Sequence, residues 1–126
     1  MTRLISTDDA PAAVGAYSQA TVASDLLFTA GQLPLTPDGE LLADEPVAEQ
    51  TRRCLENVEA ILAAEDATLA DVCKITVFLD DIDDFDAMNE AYADFFADSP
   101  PARSAVEVAA VPKGAAVEIE AVAAIE

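Results

Sequence analysis

Pro100-Pro101-Ala102-Arg103-Ser104-Ala105-Val106-Glu107-Val108, followed after a short loop by Val117-Glu118-Ile119-Glu120-Ala121-Val122, is the stretch on which the reading of this chain turns. The first run leaves a Pro-Pro pair and continues small and apolar, so it reads as a largely buried strand with one cation in it. The second alternates, which places the two carboxylates Glu118 and Glu120 on one face of a strand and apolar residues on the other. The chain has 6 Lys plus Arg against 25 Asp plus Glu. A guanidinium among small apolar neighbours is therefore conspicuous. Half-removed from water, Arg103 needs an anion. Either it pairs internally with one of the many acids, or its planar fork grips a ligand carboxylate through two parallel hydrogen bonds.

Working outward from these two strands, the chain divides by periodicity. Tyr17 to Val22 and Leu26 to Leu33 are strand-like, with Ala23-Ser24-Asp25 as the turn between them. Pro34 and then Thr36-Pro37-Asp38-Gly39 punctuate a loop. Val47, Gln50, Cys54, Val58, Ile61 and Leu62 recur at three and four, which predicts a helix from Pro46 to about Ala64, with proline in its first turn. Val72 to Leu79 alternates, and Cys73, Ile75, Val77 and Leu79 share one apolar face. Phe85, Met88, Asn89, Tyr92 and Phe96 mark a second helix, opened by aspartates that suit its N-terminal dipole. The last strands run from Ala102 to Ala109 and from Val117 to about Ala124, joined around Pro112-Lys113-Gly114. The order strand, strand, helix, strand, helix, strand, strand predicts an α+β fold, a mixed sheet with two helices on one face. A length of 126 residues fits a single domain over 1–126. The opposite sheet face is rich in small apolar residues and must also be hidden, which points to sheets packing across subunits.

Charge and composition exclude several functions. A formal net charge of −19 repels phosphate backbones, so no nucleic-acid partner is expected. Only Lys74 and Lys113 are lysines, alanine is abundant and the acids are spread along the chain. That pattern fits a halophilic cytoplasm, archaeal by preference, where salt screens self-repulsion. The start, Met1 to Asp9, shows no apolar signal region, and no run suits a membrane span. Cys54 and Cys73, each among apolar neighbours, read as reduced core residues. Asp80-Asp81-Ile82-Asp83-Asp84 lacks the glycine and the terminal glutamate of a calcium loop. No histidine is present, which removes the usual general base and the commonest metal ligand. No Gly-rich phosphate loop occurs. Neither metal nor cofactor is expected. What remains is carboxylate chemistry beside a guanidinium.

The run Pro101-Ala102-Arg103-Ser104 through Val106-Glu107-Val108, then Val111-Pro112-Lys113, then Val117-Glu118-Ile119-Glu120-Ala121-Val122-Ala123, closely resembles the signature of the RidA/YjgF family of enamine/imine deaminases. The resemblance extends to Ala10-Pro11-Ala12-Ala13-Val14-Gly15-Ala16-Tyr17-Ser18-Gln19, Ala30-Gly31-Gln32-Leu33-Pro34 and Lys74-Ile75-Thr76-Val77-Phe78-Leu79. It implies a chorismate-mutase-like fold assembled as a homotrimer, with a site in each cleft between subunits, so that Arg103 and Tyr17 reach one cleft from different chains. It also implies roles. Arg103 holds the substrate carboxylate, assisted by the backbone at Ala105, and Glu118 orients the attacking water. Tyr17, Asn89 and Gly31 line the cleft. The implied reaction converts 2-imino acids such as 2-iminobutanoate and 2-iminopropanoate into 2-keto acids and ammonia. It needs neither a cofactor nor a stable protein partner. The alternative is a non-catalytic ligand-binding or regulatory trimer. Members commonly carry Cys, Ser and Pro where this chain has Ala105, Ala30 and Ala16, so no cysteine nucleophile operates at position 105.

Overall fold

A computed structural model describes residues 2–96 and 98–125. Six strands form one mixed sheet: β1 (Arg3–Ile5), β2 (Ala20–Ala23), β3 (Leu26–Thr29), β4 (Val72–Leu79), β5 (Ala102–Glu107) and β6 (Val117–Ala124), in the order β1-β2-β3-β6-β4-β5. The pair β4–β5 is parallel and the other neighbours are antiparallel. Helices α1 (Val47–Ala63) and α2 (Phe85–Ala93) complete the α+β layer architecture expected from the element order.

The core forms between the helices and one sheet face. Leu55, Val58, Ile61 and Leu62 of α1 and Met88 of α2 meet Ile75, Val77, Leu79, Val117 and Ile119, all fully enclosed. Truncating any of the large ones to alanine would cost about 2–5 kcal/mol. Pro46 sits at the N-cap of α1, just before its first turn, and its carbonyl accepts from Gln50 N–H (3.1 Å). Gln50 is buried but satisfied: its amide donates to the Glu45 carbonyl (2.8 Å) and its oxygen accepts from Ala116 N–H (2.9 Å). It ties the start of α1 to the segment entering β6.

Four expectations are corrected. β1 was not anticipated; it pairs with β2 over Arg3 to Ile5 and is too short to show a period. The strands expected from Tyr17 and to Leu33 are shorter, because Ala30 and Gly31 leave the ladder before it resumes at Gln32. Cys73 is exposed, while Cys54 is buried as expected. A register shift between Val72 and Lys74 turns Cys73 off the face of Ile75 and Val77. Finally, β5 is not largely buried. It is an edge strand, with Ala102, Ser104, Val106 and Glu107 exposed.

The face away from the helices carries Leu4, Leu26, Phe28, Phe78, Val106 and Val122, which pairing places side by side. Leu4 (68%), Phe28 (40%) and Val106 (43%) are substantially open to solvent. That is an apolar surface of the kind a partner covers. Among the described residues no helix is long and apolar enough to cross a membrane.

Candidate active site

Arg103 leaves β5 on the helix-covered face, since it pairs with Ile75 while its neighbour Ser104 pairs with Thr76. Its Nη1 donates to the Asn89 side-chain oxygen (2.7 Å). Its guanidinium carbon lies 4.7 Å from the centre of the Tyr92 ring and 5.4 Å from that of Phe85. Among the described residues it makes no salt bridge; the ion pairs present are Arg3–Glu65, Arg52–Glu49 and Arg53–Glu56. Among the described residues the internal-pair explanation of this arginine therefore finds no acidic partner. A cleft of about 370 Å³ opens beside it, lined by Asn89, Tyr92, Phe96, Pro100, Pro101 and Arg103. Ala105 follows on the same face, half-buried against the core edge.

Glu118 lies elsewhere. It pairs with Phe78 on the open face, and Glu120 follows on that face beside Thr76. Here β3 and β6 lose step. Phe28 faces Val122 and Gln32 faces Ile119, so four steps along one strand match three along the other. The extra residue makes a bulge at Ala30–Gly31, after which Gln32 and Ile119 exchange two backbone hydrogen bonds of 2.7 and 3.0 Å. Thr29 Oγ1 fills the gap by accepting from Ala121 N–H (2.9 Å). The Glu118 carboxylate packs against Gly31 so closely that a Cβ there would sit 2.6 Å from Oε2. Only glycine leaves room. Burial pushes the Glu118 carboxyl above its ordinary pKa, and the negative charge of Glu120 adds to the rise.

Tyr17 is exposed, at 55%. It follows Gly15, whose φ of +123° is a conformation that suits glycine. Gln19 holds the segment before it: its amide donates to the carbonyls of Thr7 (3.0 Å) and Pro11 (2.8 Å), and its oxygen accepts from Thr7 N–H (2.7 Å). Tyr17 lines a separate cleft of about 510 Å³ with Val14, Leu33, Leu35, Gly39 and Lys113. One wall of that cleft is anchored by Asn57 of α1, which donates to the Leu33 and Leu35 carbonyls (3.2 and 2.9 Å).

The chain thus brings Arg103, Asn89 and Ala105 together on one face, and Glu118 with Gly31 on the other. Tyr17 stands apart from both groups. Phe85 and Tyr92 were read only as a helical stripe, and their part in facing Arg103 was missed. The available signal was spacing: Phe85, Asn89 and Tyr92 lie four and three apart, which puts one amide between two aromatics on a single helical face. Among the described residues no cluster of three His, Cys, Asp or Glu is placed to hold a metal ion.

Comparison with known proteins adds four findings. The family profile described as endoribonuclease L-PSP matches residues 7–125. A RutC family protein of Pyrococcus horikoshii is 48% identical, covering 98% of each chain. The 2-iminobutanoate/2-iminopropanoate deaminase of Homo sapiens is 44% identical over 96% of this chain and 88% of its own. Among solved structures, E. coli TdcF with bound serine superimposes with a TM-score of 0.92 at 41% identity, covering 98% of this chain and 99% of that one.

Proposed function

The chain belongs to the RidA/YjgF family, that of endoribonuclease L-PSP, and from that premise we propose that it hydrolyses 2-imino acids to 2-keto acids and ammonia. The observation that carries the reading is Arg103. In a chain with 25 Asp plus Glu, its guanidinium meets a neutral amide and two aromatic rings and makes no ion pair among the described residues. A cation so placed beside an open cleft is fitted for an external carboxylate. Serine, bound by the related TdcF, and a 2-imino acid both carry one. The human relative's name supplies the reaction.

Arg103 and Glu118 lie on opposite faces of the sheet, so the reading requires that one cleft take Arg103, Asn89 and Ala105 from one copy and Glu118, Gly31 and Tyr17 from the next. The apolar open face supports such an assembly, which we take to be a homotrimer. In the assembled cleft the substrate carboxylate docks on Arg103. Water held by Glu118 attacks the protonated imine carbon and gives one proton to the Glu118 carboxylate. The carbinolamine takes this proton on nitrogen and expels ammonia while its hydroxyl proton returns to Glu118, leaving the 2-keto acid, and that last proton leaves with ammonia as ammonium. Orientation supplies much of the acceleration, because a protonated imine is already electrophilic. The raised pKa of Glu118 brings it nearer the range where one carboxyl both accepts and returns a proton. An RNA-cleaving role is disfavoured by the −19 charge.

The test couples the protein, in molar salt, to a pyridoxal-phosphate threonine dehydratase and follows 2-keto acid and ammonia release. Accelerated release that disappears in Arg103→Ala is expected. No acceleration by an intact oligomer would leave the ligand-binding trimer as the better reading.

A further inference from the structure

We propose that Tyr92, seconded by Phe85, is a positioning residue for Arg103: the aromatic stripe of α2 fixes the plane of the guanidinium so that its free edge faces the cleft. This rests on the carboxylate-binding role given above to Arg103. The contacts divide the work. Asn89 holds one N–H at 2.7 Å, which alone leaves the guanidinium free to swing about that bond. The Tyr92 ring at 4.7 Å and the Phe85 ring at 5.4 Å remove this freedom, since a guanidinium is attracted to aromatic faces. Tyr92 is itself braced by Phe96, ring centre to ring centre 4.7 Å at 33°.

Two further observations favour this role. Tyr92 is 4% exposed, and its buried hydroxyl has no hydrogen-bond partner among the described residues. Among the described residues the hydroxyl therefore satisfies nothing, and what the residue offers Arg103 is its ring. The second is the surrounding charge. In a chain of net charge −19, an unrestrained arginine would settle on a nearby carboxylate. A neutral clamp keeps the cation ordered and available, and a side chain ordered beforehand loses less freedom when substrate arrives.

The direct test needs no substrate. In ¹⁵N-labelled protein the Arg103 Nε–H resonance, assigned by its loss in Arg103→Ala, should be displaced upfield by the ring currents. Tyr92→Phe should keep the displacement and Tyr92→Leu should remove most of it. Tyr92→Met, able to refill the space, replaces the leucine variant should that fail to fold. An unmoved resonance in the folded non-aromatic variant overturns the proposal, as does equal loss in Tyr92→Phe. A second arm measures pyruvate binding by calorimetry. The dissociation constant should rise about three- to thirtyfold without the ring, and binding should vanish in Arg103→Ala. Wild-type affinity in Tyr92→Leu sinks the positioning role and leaves the carboxylate role standing. The expected resonance pattern without pyruvate binding to any form sinks the carboxylate role and leaves the clamp.

Discussion

Arg103 and Glu118 are both drawn partly out of water, and the chain holds them by opposite means. Arg103 is held by side chains: an amide and two rings on one helix, all neutral. Glu118 is held by backbone: a bulge just after β3 whose glycine leaves the carboxylate just enough room. Among the described residues neither joins an ion pair. The difference shows in their surroundings. The cation lies against a neutral amide and two rings, whereas the acid sits half-buried beside a second acid and its proton is held more tightly. On the proposed reading each region is half of a site, and the sheet lies between them. A fold that prepares complementary halves on opposite faces is prepared to meet another copy of itself.

The largest expected effect breaks both halves at once. Arg103→Ala removes two hydrogen bonds from a charged group, each worth about 1.5–3 kcal/mol. At roughly 1.4 kcal/mol per decade, kcat/KM for imine hydrolysis should fall about 10²–10⁴-fold. Glu118→Gln should lower kcat by about 10²–10⁴-fold while pyruvate still binds. Co-refolded in equal amounts, the two inactive variants should recover activity. In a cyclic assembly with sites between neighbours, about a quarter of the clefts regain both native residues. No recovery in proven mixed oligomers would mean that Arg103 and Glu118 do not meet across an interface.

A smaller effect isolates the backbone half. In Gly31→Ala the new Cβ would lie 2.6 Å from Oε2 and 2.8 Å from Cδ of Glu118, so the carboxylate must shift. The shift is at the end of a flexible side chain, and Gly31 is not among the positive-φ glycines, so little stability should be lost. Displacing a catalytic group by about 1 Å costs on the order of 10²-fold in rate. Melting temperature and kcat should therefore separate, the first nearly unchanged and the second much reduced. Unreduced kcat would show that the bulge has no part in seating Glu118.

Much of this was legible from residues alone, and the illegible parts share a cause. Val72–Leu79 and Val117–Ala124 were read with correct bounds because both alternate, and α1 to within one residue at each end because six positions recur at helical spacing behind Pro46. Arg103 stood out by rarity, and among the described residues it makes no ion pair. The exposed position of Cys73 was invisible because a register shift is a property of two strands, and alternation within one strand does not report it. The bulge at Ala30–Gly31 depends on Gln32 meeting Ile119, far away in sequence. The face taken by Arg103 was ambiguous for a local reason. In β5 the sets Ala102, Ser104, Val106 and Arg103, Ala105, Glu107 are both mixed, so neither declares itself as the core side. The separation of Arg103 from Glu118 followed only from pairing.

The subtlest expected effect lies in pH, where activity and stability should run in opposite directions. Glu118 must be ionised to draw a proton from water, and its folded pKa lies above the ordinary carboxylate value, through burial first and Glu120 second. The acid limb of kcat/KM should therefore lie above the usual carboxylate range and move to lower pH in Glu120→Gln, which removes the second cause. Stability has the reverse sign. A carboxyl whose folded pKa is raised binds its proton more tightly folded than unfolded. Its stabilising contribution is complete below the unfolded pKa and is lost as pH rises through the folded one. Glu59 and Asp84, both raised by burial first, act in the same direction. The melting temperature should thus be highest on the acid side and decline across the window in which activity appears. In Glu118→Gln that decline should become shallower. Melting curves and kcat/KM measured together from pH 4 to 8 decide the matter. An acid limb unmoved in Glu120→Gln, with the same melting slope in Glu118→Gln as in the unaltered chain, would mean that some other carboxyl titrates there.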